Sequence, residues 1–187
     1  WKPQATVINE IENFWIQNQK NNLNTILYGY SLGKAQRLLA SINSKIGPIA
    51  VHGSTYNMNK IYQKYKKLDI DPPKLSKEII ESWNKPGLVV APPSTMGSSW
   101  LKKCQPYNEG YVSGGMHIKG KLKQRNMRGF VLSDHADWSE LNITISKSNP
   151  KEVWVTHGYT DIFTSYLIQK GINAKALQFN NFERIVD

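Results

Sequence analysis

Two histidines stand where a predicted strand gives way to a helix, each beside groups able to ligate, donate or accept. His135 follows the apolar burst Phe130-Val-Leu132 and is flanked by Ser133, Asp134 and Asp137. His157 closes Val153-Trp-Val155 through Thr156 and opens onto Gly158. Imidazole titrates near neutral pH and is the commonest metal ligand. In α/β folds, ligands and reacting groups collect in the crevice beyond the carboxyl ends of the strands. Two parallel strands ending alike would put both imidazoles at one mouth of the sheet. A catalytic zinc site needs three protein ligands and a water. The four histidines, at positions 52, 117, 135 and 157, contain neither His-x-His nor His-x-x-x-His. Further ligands must then come from elsewhere, or there is no metal. The structural alternative is that Asp134 caps the next helix and His135 is a satisfied polar residue.

A second set of residues suits a polyanion. Lys119, Lys121, Lys123 and Arg125 alternate strictly, so an extended chain places all four on one face. Such a ridge tracks a phosphate backbone with salt-dependent affinity; guarding an open sheet edge is the structural alternative. Gly29-Tyr-Ser-Leu-Gly33-Lys34 lies between strand and helix but is one residue too short for a nucleotide-hydrolysing phosphate loop, and Ala35 replaces the magnesium-holding hydroxyl. Ser31, Lys34 and the free N–H groups of the helix start remain able to meet a nucleic-acid phosphate, against a plain capped turn. The net charge of +10 lies entirely within residues 1–124, whereas 125–187 are balanced. A basic half joined to a neutral half fits a nucleic-acid partner.

The elements that must position these groups alternate. Predicted strands at 25–28, 49–51, 86–91, 110–113, 129–132, 153–155 and 174–177 are separated by amphipathic or short helices near 4–19, 32–39, 56–67, 77–83, 99–104, 137–147 and 161–170. This rhythm predicts an α/β fold, a mostly parallel sheet with helices on both faces. At 187 residues the chain can bury a proper core in one large or two small domains. The composition shift near 117–128 predicts a boundary, giving domains 1–122 and 123–187. The single cysteine, Cys104, excludes an intrachain disulfide and reads as a small buried apolar residue suited to a reducing cytoplasm. No apolar run approaches the roughly 20 residues of a membrane span, and the polar start carries no signal-peptide core. The opening Trp1-Lys2-Pro3 lacks a methionine, as a fragment would.

Gly129-Phe-Val-Leu-Ser-Asp-His-Ala-Asp-Trp138, followed by Val153-Trp-Val-Thr-His-Gly158, resembles the last two motifs of the β-CASP branch of metallo-β-lactamase-fold nucleases. Tyr28-Gly-Tyr-Ser-Leu-Gly-Lys-Ala-Gln-Arg-Leu-Leu39, Ile49-Ala-Val-His-Gly53, Ala91-Pro-Pro93 and Ser113-Gly-Gly-Met116 resemble the inserted domain of that family. The motifs run in order over nearly the whole chain and are most similar to the bacterial ligase-associated, mRNA 3′-end-processing-like exonucleases.

The resemblance implies a β-CASP-like nucleic-acid-clamping domain at 1–122. Residues 123–187 would close an incomplete metallo-β-lactamase αββα fold. It implies that His135 is a ligand in a two-zinc centre, that His157 lies beside the scissile phosphate, and that Asp137 orients His135. The His-x-His-x-Asp-His motif of that family is missing here. The chain is therefore expected to be the C-terminal half of a zinc-dependent nuclease on DNA or RNA. Its partners would be the nucleic acid and the N-terminal metallo-β-lactamase half, with no membrane, and alone it would be inactive and hold no complete metal centre. The alternative is a non-catalytic nucleic-acid-binding α/β module.

Overall fold

A computed structural model describes residues 2–114 and 127–177. Helix α1 (Gln4–Lys20) leads into β1 (Asn24–Tyr28), α2 (Lys34–Ser41), β2 (Ile49–Val51), α3 (Gly53–Lys64), the short α4 (Lys77–Glu81) and β3 (Leu88–Ala91). A six-residue 3₁₀ turn, Ser99–Cys104, precedes β4 (Tyr107–Val112) and β5 (Arg128–Phe130). Then come α5 (Trp138–Ser148), β6 (Val153–Val155), α6 (Thr160–Gln169) and β7 (Ala174–Ala176). The expected α/β class holds: β2-β3-β1-β4-β5 form one five-stranded sheet, parallel throughout.

Period-two burial builds this sheet. Leu27, Ile49, Val51, Leu88, Val90 and Val112 point to one face, under Ile11 and Trp15 of α1 and Leu38 and Leu39 of α2. Ile26, Tyr28, Ala50 and Val89 point to the other, against Leu75, Leu101 and Cys104. Because both faces are covered, Ile26-Leu-Tyr28 of β1 and all of β3 read as continuous apolar runs rather than alternating ones. Cys104 is fully buried, and burial pushes its thiol up to about 11, so it behaves as a packing group.

Register sets the strand ends level. Tyr28 pairs with both Ala91 and Tyr111, Val51 with Val90, and Val112 with Phe130. The loops that follow therefore emerge along one carboxyl edge.

Two local differences from the predicted elements have physical causes. Helix α3 starts at Gly53 because the His52 side chain caps it, accepting from the Ser54 N–H. Strand β5 stops at Phe130 because the Leu132 N–H turns back onto the Phe130 carbonyl at 3.1 Å. It also pairs with β4, not with the strands that follow it.

The chain divides into two compact units, Trp1–His135 and Ala136–Asp187. The boundary expected at 122/123 falls among residues outside those described. In the second unit, β6 and β7 form a separate parallel pair packed under α6, around Val155, Leu167 and Ala174. The single sheet expected to carry both His135 and His157 is thus two sheets. None of the described helices is long and apolar enough to cross a membrane.

Candidate nucleic-acid interface

The loops after β1 and β5 are tied together across β4. Lys34, 5% exposed, carries its ammonium 3.4 Å from Asp134 Oδ1 and 4.9 Å from the centre of the Tyr30 ring. Gly33, at φ 78°, leaves room for that carboxylate, since a Cβ there would lie 2.6 Å from Asp134 Oδ2. Arg37, one turn further on, donates from Nη1 to the Ser133 carbonyl at 2.6 Å. Ser133 Oγ in turn accepts from the His135 N–H at 3.1 Å. The Gly29–Lys34 loop and the Ser133-Asp-His135 turn are thereby one structure, with His135 exposed at its tip.

Lys34 departs from its expected role. The buried Lys34 ammonium is spent on Asp134 and Tyr30, which leaves none open for a backbone phosphate. Ser31 does reach the edge, where its hydroxyl meets Ser54 Oγ at 2.7 Å. Asp134, expected to cap the helix, instead neutralises Lys34. The cap is Asp137, which accepts from the Glu140 N–H at 2.8 Å while Glu140 Oε2 accepts from the Asp137 N–H at 3.0 Å. Asp137 is therefore bound to the helix start. Asp137-Trp-Ser-Glu140 already spelled this capping box. Lys119, Lys121, Lys123 and Arg125 lie outside the described residues.

His157 sits in the second unit at φ 63°, followed by Gly158 at φ 68°. Two consecutive left-handed residues make a sharp exit from β6, and a non-glycine residue held so is common at functional sites. His157 edges an apolar cleft of about 550 Å³ lined by Trp138, Ile145, Trp154, Tyr159 and Ile162. Among the described residues, no three His, Cys, Asp or Glu side chains come together as a metal-ligand set. Those residues alone do not fit a zinc centre.

Residues that the sequence reading passed over complete the edge. His52, at the end of β2, lies edge-on to Trp100, with centroids 4.8 Å apart and planes at 68°. Lys103 places its ammonium 5.2 Å above the same Trp100 ring. Lys74 runs beside Gly53, its Cε 3.1 Å from where a Cβ would stand. Partial burial first, then the charges of Lys74 and Lys103, hold the His52 imidazole below its ordinary range. Ser54 Oγ bridges His52 Nδ1, at 2.8 Å, to Ser31. The strand-end position that singled out His135 and His157 also marks His52, so the same reasoning could have found it.

No family model matches the chain. The chain is 27% identical over 180 residues, 96% of its own length, to a probable DNA ligase of Opitutus terrae, and spans 17% of that protein.

Proposed function

We propose that this chain is the nucleic-acid-holding part of a longer nucleic-acid-processing enzyme, a metal-dependent nuclease of the β-CASP type acting on DNA ends. The observation that carries this reading is the Lys34–Asp134 tie. It joins two of the motifs that carry the family resemblance, Tyr28–Leu39 and Gly129–Trp138, and holds His135 at an edge lined by Ser31, His52, Lys74 and Lys103. The similarity to a probable DNA ligase over a small share of its length supports a ligase-associated protein and favours DNA over RNA.

The chain's own share is to hold and orient a strand. His135 would supply one ligand of a two-zinc centre, with the other ligands from outside the described residues, and His157 would face the scissile phosphate. The large exposed side chains of the second unit, Trp138, Trp154, Tyr159 and Ile162, suit burial against the remainder of a metallo-β-lactamase-type fold.

Engagement of Asp137 in its capping box favours a second reading, a binding module without catalysis. One experiment separates them. In the intact protein, zinc content and cleavage of end-labelled DNA are measured for the wild type and His135→Ala. The nuclease reading expects bound zinc in the wild type and loss of metal and cleavage in the variant. A protein without zinc, whose cleavage is indifferent to His135→Ala, would leave the binding module.

A further inference from the structure

The geometry points to a single-strand nucleotide subsite at the β2–β3 side of the carboxyl edge, where Trp100 stacks an unpaired base while Lys74, Lys103 and His52 hold the flanking phosphates. It rests on the nucleic-acid reading above and adds the residues and the strandedness. Two groups meet the Trp100 ring here, His52 from the end of β2 and Lys103 from the 3₁₀ turn after β3, and Lys74, from the segment after α3, lies beside Gly53 next to His52. Neither lysine forms an ion pair among the described residues. Glu78 feels the charge of Lys103, but its first partner is the Ser76 hydroxyl. Two ammonium groups without a bonded carboxylate, beside a neutral imidazole, leave positive potential for an external anion.

The aromatic ring selects among anions. Trp100 is half-buried, packed against the apolar cluster of Ile26, Val89, Leu101 and Cys104, and covered by the Lys103 ammonium. An arriving phosphate draws that ammonium off the ring and frees the face for a base, which a free phosphate or an acidic side chain would not use. The hydrogen-bonded chain His52–Ser54–Ser31 leads from this point to the neighbouring Tyr30, a residue 59% exposed with Lys34 against its ring. Tyr30 thus offers a second stacking surface along the same line. Alternating rings and cations of this kind bind single strands with little sequence preference. Bases of a duplex are stacked on each other and leave Trp100 unused.

The test uses the intact protein with metal chelated, and fluorescence anisotropy of a labelled single strand of about a dozen nucleotides and of its duplex, across a salt series. Lys74→Gln/Lys103→Gln is expected to reduce the salt slope for the single strand by about 1.4, at about 0.7 per phosphate contact. Trp100→Ala is expected to weaken the single strand about tenfold and leave the duplex unchanged, while Trp100→Phe keeps most of the affinity. Should Trp100→Ala fail to fold, the lysine pair still decides, because an unchanged salt slope overturns the subsite. Equal losses for duplex and single strand overturn it too. Wild-type binding untouched by all three variants removes the subsite alone, whereas a wild type that binds no nucleic acid removes the broader reading with it.

Discussion

His52 does two jobs that pull its protonation the same way. As the cap of α3 it must accept from the Ser54 N–H through Nδ1, which requires the neutral ring. Its surroundings, burial first and then Lys74 and Lys103, also disfavour the charged ring and lower its pKa from 6.5. Because the folded value lies below the unfolded one, this contribution to stability is complete above about pH 6.5 and is lost as pH falls through the folded value. His52→Asn keeps a capping acceptor and removes the titration. Between pH 7 and 5 its melting temperature is therefore expected to fall less steeply than that of the wild type. Parallel melting curves would show that His52 titrates without consequence. The Lys34–Asp134 pair illustrates the other limit of residue-level reading. Its two halves come from widely separated loops, so no local pattern announced it, and burial turned an expected phosphate contact into a tie within the protein.

Elements were the most legible level, for reasons specific residues make plain. Ile26-Leu-Tyr28 and Leu88-Val-Val-Ala91 are buried on both faces, and such runs between glycine, proline and asparagine allow little but central parallel strands. Less legible was which strand neighbours which. The Phe130 ring fits against β4 because Gly110, two residues before its register partner Val112, has no side chain. A Cβ at Gly110 would lie 2.8 Å from both Leu27 Cδ2 and Phe130 Cε2. Glycine inside a strand usually weakens it; here it permits the close approach of side chains from β1 and β5. Gly110→Ala is accordingly expected to destabilise the first unit by about 1–3 kcal/mol, the cost of overpacking a filled core, measured by chemical denaturation. A neutral result would mean that β5 does not lean on β4. The Asp134 and Asp137 reversal is an element-scale lesson as well. Both precede α5, but only Asp137 has a glutamate three residues on, and that spacing decides the cap.

At the scale of the molecule, the two units differ in how well they satisfy themselves. The first buries a core on both faces of its sheet. Among the described residues, the second buries three apolar residues, Val155, Leu167 and Ala174. It leaves Leu141, Ile143, Trp154, Ile162 and Ile168 exposed. Of these, Leu141, Trp154 and Ile162 line the cleft edged by His157, and apolar surface gathered in this way marks an interaction site on soluble proteins. The proposed function supplies the occupant, the rest of a larger catalytic fold, and the two settings make opposite demands on the same side chains. Leu141→Lys/Ile162→Lys places two charges on that face. In the isolated chain, where both positions meet water, the change is expected to shift stability by less than about 0.5 kcal/mol and to reduce binding of a hydrophobic dye. In the intact protein, the same pair would bury unpaired ammonium groups, at several kcal/mol, and is expected to lower the melting temperature sharply and abolish cleavage. Equal and small effects in both settings would mean that the face stays open in the whole protein. The second unit would then be a free-standing appendage, and His157 would have no fold beside it with which to build a site.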